Sequence, residues 1–361
     1  MHELVYQVSF NTPAFLGNAE QQAQWRTPPF KALIRQWWRV VKAPSLDRPY
    51  DWRALRKEEG ALFGAAADGQ GDSQQSWVRL RLEHWDTGRL DNSCWPRSEI
   101  RDVQVGPGRG IPADVYIGFG PVSAASKKEG KPARLTRSAI EPEKTANVLS
   151  LRIDRRASQE QRTEIQAALS LCNWFGGVGS RSRNGWGSVA LMGDAMTRMP
   201  SAHDLAPYVR PFDRCFEHDW PHAIGTDREG PLVWTGRAVK NWREAVLALA
   251  QVRLGVRAVA KTFGRGQDIS ANQLVAYPVT KSGNNAWGNA ERIASPMRLK
   301  VVKTPEGLTP LVVHLPSAVP DVLLKKLGAG DQRWVQEHQK EIWQAVHADL
   351  NQRMNRLGES Q

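Results

Sequence analysis

The chain has 361 residues, about twice the length at which single domains are most common, so two domains or one elaborated fold are expected. Apolar residue types make up 41% of it and 15 residues are tryptophan, which excludes disorder as a description of the whole chain. Lys and Arg number 49 against 37 Asp and Glu, and the net charge of +12 favours a polyanionic partner. Nucleic acid is the first choice and an anionic membrane the second.

The cysteines and the N-terminus indicate a compartment. Cys94, Cys172 and Cys215 are an odd number of thiols spaced far apart, so no disulfide framework is implied and a reducing cytoplasm fits. The first 13 residues lack the basic start and continuous apolar run of a signal peptide. No stretch approaches the roughly 20 apolar residues that span a bilayer. We expect a cytoplasmic protein with no membrane partner.

Residues 1–195 show the periodicities of a βαββαβ unit. Leu4 to Phe10 alternate as a strand, and a helix is predicted from an N-cap at Thr27 to residue 42. Ser158 and Gln161 form a capping-box pattern that opens a second helix, over 158–175. Further strands are predicted over residues 77–85, 115–122, 147–154 and 188–192.

Residues 196–361 repeat this theme with less regular spacing. Helical patterns cover residues 239–262 and 334–357, and strands are predicted over 297–302 and 311–315. The predicted fold class is therefore α/β (α+β), with two ferredoxin-like, RRM-like βαββαβ domains in tandem, 1–195 and 196–361.

The most specific string is GGVGSRSRNGWGSV, residues 176–189, between a predicted helix and strand. Glycine permits positive φ and lets a polyanion approach backbone amides, and arginines can bind phosphate oxygens. It is not a Walker loop, because no Lys followed by Ser or Thr closes it. The alternative is a glycine hairpin with solvated arginines. The candidate RNA-binding residues here are Gly177, Gly179, Ser180, Arg181, Ser182, Arg183, Asn184 and Gly185.

The spacing of these glycines resembles the glycine-rich loop of the RAMP superfamily of CRISPR RNA-binding proteins, whose ferredoxin-like domains carry it between the last helix and last strand. Other strings narrow the resemblance: TPAFLGNA, RTPPFKALIRQWWR, ALFG and RIASPMRLKV, in that order. Together they look like the family that forms subunit 1 of the Cmr complex, the type III-B CRISPR effector. The resemblance extends over most of the chain.

The resemblance implies a ribonucleoprotein subunit that contacts the 3′ part of a guide RNA and the target RNA paired to it. Other Cmr subunits would be its protein partners, with no cofactor, metal or small-molecule substrate. Related slicing subunits place a catalytic aspartate after the first strand, whereas residues 11–44 here contain no Asp and only Glu20. We therefore expect no catalytic residue. The rivals are a metal-independent endoribonuclease that processes CRISPR RNA, which shares the fold and loop, and a scaffold that binds only protein.

Cations on the first helix and its entry are the next RNA-binding candidates: Arg26, Lys31, Arg35 and Arg39. Their alternative is a solvated helix face. Trp37 falls on the core stripe with Phe30, Leu33, Ile34 and Val41, whereas Arg35 is off it, so Arg35→Ala is expected to leave stability nearly unchanged. Trp38 is expected to pack rather than stack on a base.

Two other groups of residues have weaker claims. Lys127, Lys128, Lys131, Arg134 and Arg137 form a basic loop that would either grip phosphates nonspecifically or remain solvated. Cys215, His218 and His222 have the spacing of metal ligands, but structural zinc sites usually pair two short ligand clusters, and only one is present. Polar residues without a metal are the expectation there. His84 is likewise expected to be structural.

Overall fold

A computed structural model describes residues 2–45, 52–66, 73–125, 133–143, 146–192, 198–277, 279, 284–288 and 290–358. Its helices are α1 (Thr27–Lys42), α2 (Trp52–Phe63), α3 (Ala113–Gly118), α4 (Gln159–Phe175), α5 (Ala202–Leu205), α6 (Phe212–Cys215), α7 (Trp242–Thr262), α8 (Ala271–Val275), α9 (Asp321–Leu324) and α10 (Ala329–Arg353). Its strands are β1 (His2–Phe10), β2 (Val78–Leu82), β3 (Asp102–Gly106), β4 (Arg109–Pro112), β5 (Val122–Ser123), β6 (Arg134–Leu135), β7 (Asn147–Ile153), β8 (Val189–Met192), β9 (Val209–Pro211), β10 (Ile224–Asp227), β11 (Gly230–Pro231), β12 (Val233–Thr235), β13 (Met297–Thr304), β14 (Gly307–His314) and β15 (Asn355–Arg356). Lys127, Lys128 and Lys131 of the predicted basic loop lie outside the described residues.

The N-terminal sheet has the strand order β2-β7-β1-β8, with antiparallel neighbours throughout. Helix α1 lies between β1 and β2 in the chain, and α4 lies between β7 and β8. This is a βαββαβ unit with its first and third strands at the centre, as in ferredoxin-like folds. The predicted N-terminal unit is confirmed.

Helix α1 packs its predicted stripe into the core, but it begins differently from the prediction. Arg26 is the N-cap and makes no side-chain capping bond, while Thr27 is already helical and is followed by two prolines. The N-cap expected at Thr27 is therefore wrong, because prolines in the first turn remove amides that a cap would satisfy. Trp37 and Trp38 are fully buried, and Trp38 Nε1 donates to Glu164 Oε2 at 2.9 Å. Packing of Trp38 is confirmed.

The segment 115–122 is the clearest secondary-structure error. It forms the helix α3 followed by the short strand β5, where the sequence predicts one strand. A short apolar run fits a buried strand and a buried helix equally well. Packing against α7 decides, because Val115 and Ile117 are buried in the core that α7 shares.

The C-terminal sheet repeats the topology of the first. Its order is β13-β14-β12-β15, all antiparallel, with α7 between β12 and β13 and α10 between β14 and β15. The tandem ferredoxin-like architecture is thus present in the strand order itself. The last helix ends at Arg353 instead of running to 357, because the following residues pair with β12 as β15.

The two sheets meet at the 176–189 segment, hereafter the glycine loop. Leu299 N donates to Arg183 O at 2.9 Å, and Lys300 Nζ donates to the carbonyls of Gly176 and Val189. Trp186 packs with rings from before and after it in the chain, at centroid distances of 5.9 Å to Trp95 and 6.1 Å to Trp242. The predicted boundary at 195 falls in residues 193–197, outside the described part, and stays a prediction.

Candidate nucleic-acid interface

The glycine loop needs its glycines for backbone geometry. Gly179, Gly185 and Gly187 have φ of 89°, 93° and 59°, values that other residues rarely adopt. A Cβ at Gly187 would lie 2.1 Å from the carbonyl oxygen of Val178. The glycine pattern therefore encodes a tight turn against the protein's own backbone.

Several amides of the loop already have partners inside the protein. Ser180 N donates to Phe15 O and Gly187 N donates to Pro13 O, each at 3.0 Å, while Asn184 N donates to Arg181 O at 2.8 Å. These three N–H groups cannot also cradle a phosphate. The expectation that a polyanion approaches the loop backbone is corrected at these positions.

Two candidate residues of the loop lie in the interior. Asn184 and Gly185 are buried, and Asn184 Nδ2 donates to Ile117 O at 2.7 Å while its Oδ1 accepts from Arg253 at 3.0 Å. Gly185 O accepts from Thr12 Oγ1 at 2.6 Å. Asn184 therefore links the two halves of the chain, and burial removes both residues from the candidate surface. Gly177, Gly179, Ser180 and Ser182 are partly exposed and stay predictions.

Arg181 and Arg183 lie on different sides of the loop. Arg181, at a φ of 61°, donates from Nε to Phe119 O at 2.6 Å and lies in the electrostatic surroundings of Arg253. Arg183 instead lies near Arg298 of β13 and lines a cavity beside α10. Although only two residues apart in the turn, the two side chains therefore border two different surfaces.

Arginines surround the loop without acidic partners, and Arg298 among them is buried. Among the described residues, no ion pair joins a carboxylate to any of Arg181, Arg183, Arg253, Arg257 or Arg298. Burial lowers the pKa of Arg253 to about 10 and that of Arg298 to about 9, and a neighbouring arginine adds to each shift. The Arg298 guanidinium lies 4.9 Å from the Trp37 ring centroid. Positive charge that is unmatched by carboxylates attracts an external anion.

The cations of α1 line a second surface. Lys31, Arg35 and Arg39 of α1 and Arg79 of β2 border a cavity of 770 Å³, hereafter the α1 cavity. Burial lowers the pKa of Lys31, and the charge of Arg35 adds to this. Arg26 is not among the residues bordering this cavity, and its Nε is buried with no hydrogen-bond partner in the described structure.

Arg35 and Arg39 are not simple solvated side chains, because both bind Glu59 of α2. Arg35 Nε donates to Glu59 Oε1 at 2.8 Å, and Arg39 Nη2 donates to the same oxygen at 2.8 Å. The Glu59 side chain is only 4% exposed. Burial alone would raise the pKa of Glu59, but the hydrogen bonds from Arg39 and Arg35 outweigh it and hold the pKa below its ordinary value. The expectation that Arg35→Ala leaves stability unchanged conflicts with this contact.

Three cavities connect the first helix to the glycine loop. The α1 cavity shares Arg35 and Arg39 with a 500 Å³ cavity beside Trp52 and Trp220, hereafter the Trp52 cavity. That cavity shares Asp219 with a third, of 240 Å³, bordered by Arg183 and Gln339 and hereafter the Gln339 cavity. The two separately predicted basic regions therefore border a series of neighbouring cavities that have wall residues in common.

The residues with metal-ligand spacing have other partners. Cys215 Sγ donates to Arg210 O at 3.6 Å, and His222 Nδ1 bonds to Trp220 O at 3.0 Å. In the described part of the chain, no three His, Cys, Asp or Glu side chains come together in a way that could hold a metal ion. No helix in the same part of the chain is long and apolar enough to cross a membrane.

Sequence reasoning missed several members of this interface. Arg253, Arg257 and Arg298 lie on predicted elements, but nothing in a single sequence shows that their surroundings lack carboxylates. Arg79 alternates with apolar residues in β2, which was a usable signal. Gln339 carries no pattern at all.

No family model matches the chain, and a search of curated proteins finds no match. It is similar to the apo structure of Cmr1 from Pyrococcus furiosus, at 16% identity over 88% of each chain with a TM-score of 0.46. A chain of the type III-B Cmr-beta complex bound to cognate target RNA and AMPPnP has 10% identity over 97% of this chain and 98% of that one, with a TM-score of 0.47. A chain of a type IV-B CRISPR complex has 15% identity over 55% of this chain and 93% of that one, with a TM-score of 0.33.

Proposed function

We propose that this chain is a noncatalytic RNA-binding subunit of a type III-B CRISPR (Cmr) effector complex, contacting the 3′ part of the guide RNA and the paired target RNA. The observation that carries RNA binding is the series of neighbouring cavities between α1 and the glycine loop that is bordered by cations. Near the loop, Arg183 and Arg298 form no ion pair with a carboxylate among the described residues. The assignment to a Cmr-type complex rests on the sequence motifs.

The residues along these cavities suit contacts to the phosphate backbone of RNA better than sequence-specific contacts to base edges. The cations are spread along the path, from Lys31 and Arg79 at one end to Arg183 at the other. Trp52, 54% exposed at the middle of the path, adds an aromatic edge against which a base can pack. Affinity would then come mainly from phosphate contacts and depend strongly on salt.

The rival reading, a metal-independent endoribonuclease, has one specific residue in its favour. His218 borders the Trp52 cavity next to Asp219, and burial first, then Arg210, lowers its pKa. A histidine that is neutral at pH 7 could act as a general base. Our proposal gives His218 no chemical step.

The test is incubation of the purified protein with CRISPR repeat RNA and with a guide-like single strand, both in EDTA. We expect binding without cleavage and a log–log salt slope near −3, from about four phosphate contacts at roughly −0.7 each. Arg183→Ala should reduce that slope by about 0.7, whereas Arg228→Ala, in the exposed β10–β11 turn, should leave it unchanged.

Either of two results would sink the proposal. Cleavage that disappears in His218→Ala would establish the endoribonuclease instead. Affinity that does not change with salt would remove RNA binding through phosphates and favour a scaffold that binds only protein.

A further inference from the structure

The Gln339 cavity holds polar groups that the functional proposal does not use. It lies between the glycine loop and α10, with Leu274, Ile293 and Val319 among its apolar walls. Its polar walls include Arg183, Arg292, Asp219 and Gln339, so two cations and one carboxylate border it. Its volume of 240 Å³ is too small for a duplex.

The amide of Gln339 is the informative group. Its Oε1 is buried and has no hydrogen-bond partner in the described structure, which is costly for a polar atom. Rotation by 180° about the terminal torsion exchanges the amide oxygen and nitrogen, so either a donor or an acceptor can be turned to the cavity. An amide with both functions matches the polar edge of a nucleobase, and apolar walls match its faces.

Arg183 supplies the complementary charge at the same cavity. No described carboxylate forms an ion pair with it, and burial lowers its pKa. A guanidinium in such surroundings binds a phosphate oxygen well. One cavity is therefore bordered by an amide that can contact a base and by a guanidinium that can contact a phosphate.

We propose that the Gln339 cavity binds one unpaired nucleotide of the RNA, with the base contacting the Gln339 amide and the adjoining phosphate contacting Arg183. The inference rests on the proposed RNA-binding function and deepens it. Because a paired base cannot present its edge to Gln339, the nucleotide must lie outside the guide–target duplex or be turned out of it. A nucleotide held in the Gln339 cavity would fix the position of the RNA strand along the neighbouring cavities.

The experiment compares two RNAs on three proteins. The RNAs are a short single strand, scanned with 4-thiouridine to find the position that crosslinks to the 339–343 segment, and the same strand abasic at that position. The proteins are wild type, Gln339→Leu and the control Gln336→Leu, an exposed glutamine on the same helix. Gln339→Glu, which keeps the size of the side chain, serves as a second variant should the leucine disturb folding.

We expect one position to crosslink there, and Gln339→Leu to weaken binding of the intact RNA by about threefold to tenfold, the value of one hydrogen bond. Binding of the abasic RNA should be the same in wild type and Gln339→Leu, and Gln336→Leu should match wild type on both. Wild-type RNA binding that is unaffected by either Gln339 variant would overturn the pocket and leave the RNA-binding function standing. Equal losses on both RNAs would also overturn it. No RNA binding by wild type would overturn the function itself, and the pocket with it.

Discussion

Lys300 is a buried amine at the contact between the two sheets, and its replacement by Met should have a pH-dependent effect on stability. The residue is 1% exposed, and its Nζ donates to the carbonyls of Gly176 and Val189. Burial lowers its pKa from 10.5 to about 7. The folded protein therefore holds the Lys300 proton much less tightly than the unfolded chain does.

The direction follows from proton linkage. Between pH 7 and about 10, the unfolded chain binds about one more proton at this residue than the folded protein. The free energy of unfolding should then rise with pH by up to about 1.4 kcal/mol per pH unit. Below pH 7 both states are protonated, and the folded state carries the full cost of the buried charge. Over the whole interval the change approaches ~4 kcal/mol.

The measurement is urea unfolding of wild type and Lys300→Met at about pH 6, 7.5 and 9, with the free energies extrapolated to water. We expect the stability of wild type relative to the Met variant to increase steadily across this series. Lys303→Met, an exposed position on the same strand, should show no such trend. A Lys300 difference that is constant with pH would mean that the amine keeps its ordinary pKa, and the buried contact would be refuted.

Two further predictions concern α1 and its partner helix. Trp37→Ala should lower the free energy of unfolding by about 3–5 kcal/mol, because the ring is fully buried and its removal leaves a cavity. The measurement is a thermal or urea melt, and a loss under about 1 kcal/mol would place the ring outside the core. Glu59→Gln should lower the free energy of unfolding by about 1–3 kcal/mol, because Arg35 and Arg39 lose their shared carboxylate. In the same urea titration, the control Lys57→Ala, at an exposed position on the same helix, should change it by less than about 0.5 kcal/mol. Equal effects at Glu59 and Lys57 would show that the ion pairs are not formed in solution.

The elements that could be predicted from sequence are those whose signal is local. Helix α4 has its capping box at Ser158 and Gln161 as predicted, because both bonds lie within four residues of chain. Segment 115–122 was mistaken for a strand because α7, more than 100 residues later, decides its conformation. Such long-range packing leaves no mark in a short window.

Parts of the candidate site failed for a related reason. In β13, Arg298 and Lys300 alternate with apolar residues, which predicts a solvent-facing side. Six consecutive residues of that strand are buried, because the glycine loop and α4 cover the face where the cations lie. Arg35→Ala was predicted to leave stability nearly unchanged, because nothing near Arg35 in the sequence points to its partner Glu59, which lies 24 residues further along. In both cases the element was predicted from its local pattern, but the residues that cover its cations lie far away in the sequence.

The buried charge of Arg298 should affect both the stability of the free protein and the stabilisation that RNA binding produces. Arg298 loses its hydration without gaining a carboxylate, so it raises the free energy of the unliganded fold. RNA phosphates near the glycine loop would supply the missing negative charge. Binding at 100 times the dissociation constant adds about 2.7 kcal/mol of stability, roughly 3–4 °C in melting temperature for a protein of this size.

Arg298→Met separates the two contributions, because methionine fills much of the same space without the charge. The variant should melt at the same temperature as wild type or higher without RNA, and the rise produced by saturating guide-like RNA should be smaller than in wild type. Arg228→Met, at an exposed turn, should change neither melting temperature. A different result would contradict this: Arg298→Met melts at a lower temperature than wild type, yet RNA raises its melting temperature by the full wild-type amount. The guanidinium would then stabilise the fold mainly by packing over Trp37, and its charge would not contribute to binding the phosphate backbone.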